Sequence, residues 1–364
     1  MKTRGLAIIT LSLLLPKIAL ACGCDPYART ALDAYQDSDL VVIARMLSVE
    51  KAIKPESRVN GDISAATMIV EKVYKGTVQI GEQLKFAQGD EVLHCTWSFY
   101  REEIGERFLL YLVQPEKPSD PLYVWNCNRS TGIESAREDL LFLDNYEQHR
   151  GRTRVSGVLR ADGDLDISGR NIRIIGRNKT YIANTDKDGV YEIYNLPAGR
   201  YVIEPELPFG WQVDQFLATR EPTRPYVHRR PSNRLAFRLQ PRKHFSAVIE
   251  LRLSNHVSGT VLDTQSRPLD SVCVSLVPIK DQSLLECNVF TDKKGRFQIE
   301  SVEAGAYLLI FNHKNKLTRE MPFPRLYYPG VIERKDARTL DVKHGQSLDG
   351  LNVAVTRDPT FVPE

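Results

Sequence analysis

The chain has 364 residues, 42% of them hydrophobic and 26% charged, with 20 Pro, 22 Gly and only four Met. These fractions exclude a disordered or collagen-like chain and favour many short strands over long helices. The 49 basic and 46 acidic residues nearly balance, and without Lys2, Arg4 and Lys17 both counts are 46. That argues against a nucleic-acid partner, which needs a concentrated basic field.

Residues 1–21 are expected to be a secretory signal peptide. Lys2 and Arg4 form the positive start, residues 6–15 are apolar, and Ala19-Leu20-Ala21 suits a signal peptidase. The apolar run is shorter than the roughly 20 residues a membrane span needs, and no later stretch reaches that length. The expected location is therefore outside the cytoplasm: periplasmic, surface-associated or secreted. Six cysteines follow: Cys22, Cys24, Cys95, Cys127, Cys273 and Cys287. An even number in an exported chain reads as disulfides. Four precede residue 130 and two lie near residue 280, which suggests separate folding units.

After the signal, a short helix is expected at 28–35, with Ala31, Leu32 and Tyr35 on one face. Strands are expected at 40–49, 67–75 and 108–113, from β-branched content, alternation and a continuous apolar run respectively. Leucines at helical spacing predict a helix over 134–146.

The rest of the chain repeats itself. Val155-Ser156-Gly157-Val158-Leu159 recurs as Val257-Ser258-Gly259-Thr260-Val261. Thr185-Asp186-Lys187-Asp188-Gly189-Val190-Tyr191 recurs as Thr291-Asp292-Lys293-Lys294-Gly295-Arg296-Phe297, and Ala198-Gly199-Arg200-Tyr201 as Ala304-Gly305-Ala306-Tyr307. Three anchors in one order indicate duplication. Short strands punctuated by Gly, Pro, Asn and Asp predict a β-sandwich for each copy, with hairpin turns at Gly189 and Gly295. Between the repeated segments runs a basic stretch, Arg220, Arg224, Arg229, Arg230, Arg234, Arg238, Arg242 and Lys243, with Glu221 its sole acid. It reads as a solvated linker with an edge strand at 235–239. Its functional reading is contact with an anionic envelope surface or polysaccharide.

Cys22-Gly23-Cys24-Asp25-Pro26, then Asp39-Leu40-Val41-Val42-Ile43-Ala44-Arg45, Glu71-Lys72-Val73-Tyr74-Lys75-Gly76, Cys95 and Trp125-Asn126-Cys127 resemble the netrin-like module of the tissue inhibitors of metalloproteinases. The resemblance implies an OB-like five-stranded barrel with flanking helices over 22–149. It also implies disulfides from Cys22 to Cys95 and from Cys24 to Cys127. In that family the amine and carbonyl of the first cysteine chelate the target's catalytic zinc, which keeps an open coordination position. Carried over, Cys22, Gly23, Cys24, Asp25 and Pro26 would form an inhibitory edge, with Cys22 the ligand and Gly23 facing the specificity pocket. Gly23 has no side chain to fill that pocket, and the module's third cysteine pair has no counterpart here. Lipidation of Cys22 is a rival fate, since it uses the same sulfur.

The repeats, with Gly-x-Tyr and Tyr327-Tyr328-Pro329-Gly330, resemble carboxypeptidase regulatory-like domains, which are transthyretin-like β-sandwiches. This implies tandem sandwiches over 150–250 and 251–364, usually accessory modules, some of whose relatives bind carbohydrate. Trp211, Tyr327 and Tyr328 are the aromatics that could stack on sugars.

Other signals are blander. Cys273 and Cys287 flank a hairpin with a turn near Lys280-Asp281 and read as a cross-strand disulfide. Asp162, Asp164 and Asp166 start like a calcium loop, but Ile167 and Arg173 occupy the positions that need Gly and Glu. No two of the seven histidines have zinc-ligand spacing, and no phosphate loop, dinucleotide fingerprint or Gly-x-Ser-x-Gly element is present. The expectation is a mainly β, three-domain, non-enzymatic binding protein without cofactor or intrinsic metal. Its leading partner is a zinc metalloprotease, bound at the Cys22 edge. The alternative is a carbohydrate or cell-envelope partner of the repeats, and the third reading is a structural spacer.

Overall fold

A computed structural model describes residues 29–51, 64–87, 95–115, 117, 120–161, 163, 165–219, 232–280 and 286–356. The signal segment and the 22–26 edge lie outside the described residues. The chain forms two compact units, 1–148 and 149–364.

The first unit opens with α1 (Ala31–Asp37). Thr30 and Asp33 cap each other reciprocally: Thr30 Oγ1 accepts from Asp33 N at 3.1 Å, and Asp33 Oδ2 accepts from Thr30 N at 3.2 Å. The helix buries Ala31, Leu32 and Ala34. Then come β1 (Leu40–Lys51), β2 (Ser64–Lys75), β3 (Gln83–Phe86), β4 (Arg107–Leu112), β5 (Thr131–Gly132), α2 (Arg137–Asp144) and α3 (Tyr146–His149). The strands make one antiparallel sheet in the order β3-β2-β1-β4-β5. Alternation sends Leu40, Val42, Ala44 and Met46 of β1 to one face, with Met68, Phe86 and Leu110. Val41 and Ile43 go to the other, where Ala31, Leu32, Phe142 and Leu143 cover them. Both faces of β1 are therefore buried.

This sheet corrects the expectation of a closed barrel. Strand β3 has four residues and β5 has two, and they form the edges. Among the described residues, what ties β3 across is a single parallel bridge from Phe86 to Leu122, flanked by Leu122 N donating to Lys85 O at 3.0 Å and Ala87 N to Leu122 O at 2.9 Å. Edges this short offer too few ladder hydrogen bonds to close a staggered cylinder. The helix expected over 134–146 is also interrupted. A 3-10 turn precedes α2, and Asn145, whose side-chain amide donates to Leu141 O at 2.9 Å, separates α2 from α3.

The second unit holds two sandwiches. The first has β6 (Arg154–Ala161), β7 (Asn171–Ile175), β8 (Thr180–Asn184), β9 (Val190–Tyr194), β10 (Gly199–Pro205), β11 (Trp211–Ala218), β12 (Leu235–Leu239) and β13 (His244–Leu253). Its sheets run β12-β10-β7-β8 and β11-β13-β6-β9 around Val155, Leu159, Ile172, Ile174, Ile203 and Ile249. The second has β14 (His256–Asp263), β15 (Cys273–Pro278), β16 (Val289–Phe290), β17 (Arg296–Glu300), β18 (Gly305–Phe311), β19 (Leu326–Tyr327), β20 (Leu340–Val342) and β21 (Val353–Val355). Its sheets run β17-β14-β21 and β16-β15-β18-β19, with β20 also on β18.

Each repeated motif has a physical job. Gly157 on β6 and Gly259 on β14 let a neighbouring strand or segment approach, since a Cβ there would run into the Ala247 or Leu351 carbonyl. Thr185 Oγ1 donates to Ile167 O at 2.5 Å and accepts from Arg170 N at 2.8 Å; Thr291 Oγ1 donates to Leu269 O at 2.6 Å and accepts from Val272 N at 2.9 Å. Asp186 Oδ1 accepts from Asp188 N and Val190 N, as Asp292 Oδ1 does from Lys294 N and Arg296 N. Those carboxylates close turns, so the acidic turn needs no calcium. Gly189 and Gly295 follow at φ +77° and +70°.

Within this unit the sandwiches meet at the turn before β11. His344 Nε2 donates to Phe209 O at 2.9 Å, and Arg252 pairs with Asp214 at 3.0 Å and Glu300 at 2.7 Å.

Candidate functional site

In the first unit, Cys95 and Cys127 are both disulfide-bonded. Their expected partners, Cys22 and Cys24, lie outside the described residues, as do Gly23, Asp25 and Pro26. Two residues beyond Cys127, Arg129 sits in a buried polar network. Its Nε donates to Asp139 Oδ1 at 2.8 Å, one terminal nitrogen to Glu138 Oε2 at 2.6 Å and the other to Arg29 O at 2.9 Å. Tyr111 OH adds a bond to Asp139 Oδ1 at 2.8 Å. Burial alone would lower the guanidinium's pKa, but the carboxylates of Asp139 and Glu138 outweigh it and hold the group well above its usual range. Burial, with the Asp139 charge behind it, pushes the Tyr111 phenol well up. The network fixes the start of the described chain, at Arg29, to α2. Beside it lies a cavity of about 220 Å³ lined by Arg29, Asp37, Tyr111, Trp125, Cys127 and Asn128.

The basic stretch divides. Arg220, Arg224, Arg229 and Arg230 lie outside the described residues. Leu235–Leu239 is an edge strand, β12, but β13 follows it in the first sandwich and pairs with β6. The described part of the stretch, from 232 on, thus lies within that sandwich and does not link the repeats. Arg234 donates to Glu204 Oε1 at 3.0 Å. Arg238 stands opposite Arg200 across β10 and β12, and Arg242 and Lys243 are exposed in the turn before β13.

The same sheet carries a polar ladder on its outer face. Glu204 of β10 pairs in register with Arg173 of β7, whose guanidinium is 3.7 Å from Glu204 Oε2. That Oε2 is buried and has no hydrogen-bond partner among the described residues. One row along, the Asn184 amide donates to Asn171 Oδ1 at 2.7 Å, and the Asn171 amide to Glu206 Oε2 at 2.6 Å. A cleft of about 470 Å³ is lined by Arg173, Glu204, Pro205, Glu206, Leu207 and Asn233. Alternation along β10 signals a solvent face, but nothing in the linear order shows that Arg173, Glu204 and Asn233 converge.

The expected sugar-stacking aromatics are packed instead. Tyr328 is buried in the second sandwich's core, Tyr327 lies against Val277, Leu308 and Ile310, and Trp211 is half-buried near His344. Cys273 and Cys287 are bridged, with Cα atoms 5.6 Å apart; the expected turn continues beyond Lys280 outside the described residues. Asp162 and Asp164 are likewise outside, and Asp166 Oδ1 accepts from Ser168 N at 2.9 Å. Among the described residues, no group of three or more His, Cys, Asp or Glu is placed to hold a metal, and no helix is long and apolar enough to cross a membrane.

No protein-family model and no curated protein matches the sequence. Among solved structures, the Bacillus anthracis TIE protein is 11% identical with a TM-score of 0.28, over 88% of this chain and 52% of that one. This chain thus spans about half that protein's length. GBS52, the minor pilin of Streptococcus agalactiae, is 12% identical with a TM-score of 0.21, over 58% of this chain and 99% of that one. A streptococcal ancillary pilin is 13% identical at 0.21, over 91% and 97%. Likeness at these scores bears no conclusion about function. The chain is mainly β, with tandem β-sandwiches.

Proposed function

We propose that this chain is an exported, non-enzymatic binding protein whose first sandwich holds a hydroxyl-rich ligand, a polysaccharide of the cell envelope, in the Arg173–Glu204–Asn233 cleft. The observation that carries this reading is the incomplete ladder around Glu204. A buried carboxylate oxygen without a hydrogen-bond partner costs roughly 1–3 kcal/mol or more. A turn of the Glu204 side chain toward the cleft lets a ligand hydroxyl donate to Oε2 while accepting from Arg173. Alternating carboxylate, guanidinium and carboxamide groups suit ligands that offer a donor and an acceptor at every hydroxyl. Titration of the full chain with envelope polysaccharides tests this. Binding that weakens by about tenfold or more in Glu204→Gln and Arg173→Ala is expected. Equal binding by wild type and both variants, or none by wild type, overturns it.

A second reading is favoured by one observation, the disulfide state of Cys95 and Cys127 beside the Arg129 clamp on Arg29. In this reading Cys22 pairs with Cys95 and Cys24 with Cys127, presenting Cys22 to Pro26 as a fixed edge to a zinc metalloprotease. Chelation by a free α-amine predicts that one extra residue before Cys22 abolishes inhibition. Inhibition that survives the extension, or no inhibition at all, rejects it.

A further inference from the structure

The two sulfurs of the Cys273–Cys287 bridge occupy unlike surroundings. Cys273 is buried at the start of β15, whereas Cys287, ahead of β16, is half-buried. The antiparallel pairing of β15 with β18 sets Val274 against Phe311, and Asn312 N donates to Cys273 O at 3.1 Å. This delivers His313 to Cys273. His313 Nδ1 lies 3.1 Å from Cys273 Sγ and 3.1 Å from Ser275 Oγ. Burial first, then the charges of Lys314 and Arg325, holds the imidazole below its ordinary pKa, with Glu286 opposing. Arg325 also donates to the His313 carbonyl. An imidazole in electropositive surroundings therefore touches Cys273 Sγ, the sulfur of the more deeply buried cysteine. Sequence spacing gave no hint of this, since Cys273 and His313 are 40 residues apart.

We infer that the Cys273–Cys287 bridge is a thiol-exchange site, attacked at Cys287 by an external thiol, with Cys273 as leaving group and His313 as proton acceptor. The attacking thiol gives up its proton and its sulfur bonds to Cys287 Sγ. The Cys273–Cys287 bond breaks, its electron pair goes to Cys273 Sγ, and the released proton ends on His313. Cys273 then stands as a thiolate beside an imidazolium, the pairing that lowers cysteine pKa values elsewhere. When the attacker is a dithiol, its second sulfur displaces Cys287, which takes up the second proton. The dithiol is oxidised by two electrons and the protein is reduced by two. Stabilising the leaving sulfur speeds exchange. Ser275 positions the ring through Nδ1.

The full chain carries its own reference, because Cys95 and Cys127 are also in disulfides. Protein treated with dithiothreitol at pH 7, quenched by alkylation and mapped by mass, should open Cys273–Cys287 before the others. His313→Asn should slow that opening by about tenfold relative to the reference disulfides, and His313→Gln should behave alike. Glutathione on wild-type protein, which needs no variant to fold, should form its mixed disulfide on Cys287. Unchanged or faster opening in both His313 variants, or glutathione captured on Cys273, overturns the inference.

Discussion

The two sandwiches share a framework and differ in what they add to it. Their common residues, Gly157 with Gly259, Thr185 with Thr291 and Asp186 with Asp292, all serve backbone: two admit a close carbonyl and four satisfy N–H or C=O groups. Their differing residues set the two apart. The first copy has the Glu204 ladder and its cleft; the second has a disulfide against His313. The repeat thus records what the fold requires, and both proposed sites lie where the copies disagree.

The largest effect should come from the shared glycines. Gly157→Ala and Gly259→Ala each drive a methyl group into backbone that cannot give way, so each should cost about 3 kcal/mol or more. Denaturant unfolding of the full chain reads this, and a change below ~1 kcal/mol at either position breaks the equivalence. Next, Thr185→Ala and Thr291→Ala each leave one buried carbonyl and one N–H without their shared hydroxyl. Similar losses of about 1–3 kcal/mol are expected, and a loss in one copy alone would show that the two hydroxyls do unlike work.

A smaller effect sharpens the comparison. Tyr191 OH donates to Ala247 O at 2.7 Å, while Phe297, its counterpart, has no hydroxyl to offer Leu351 O. Tyr191→Phe should cost about 1 kcal/mol, measured by the shift in unfolding midpoint. The smallest effect is in the turns. Arg296 holds the Asp292 carboxyl down to about 2, through side-chain and backbone hydrogen bonds, whereas Val190 occupies that place in the first copy. A depressed carboxyl contributes stability above its unfolded pKa and loses it as pH falls through the folded value. Carboxyl-carbon NMR should therefore show Asp292 titrating near 2, and Arg296→Ala should raise that midpoint.

Much of the fold was legible in the sequence because its signals are local. Turn glycines, the edge strand at β12, the buried run of β4 and the duplicated anchors each declare themselves within a few residues. The open edge of the first sheet did not, since closure depends on the lengths of β3 and β5 and on the path near Leu122. Asn145 broke a helix whose leucine spacing was intact, because its side chain competes for a backbone carbonyl. Neither the cleft nor the Cys273–His313 contact was legible. Each joins residues that only sheet pairing brings together, Arg173 to Glu204 through β7 and β10, and Cys273 to His313 through β15 and β18.

Hydrogen–deuterium exchange of the full chain, with and without envelope polysaccharide, tests the proposed function most directly. Protection confined to 171–175, 199–207 and 232–239, around Glu204, is expected, with the matching strands of the second sandwich unchanged. Protection in the second sandwich or the N-terminal unit, with none around Glu204, would contradict it.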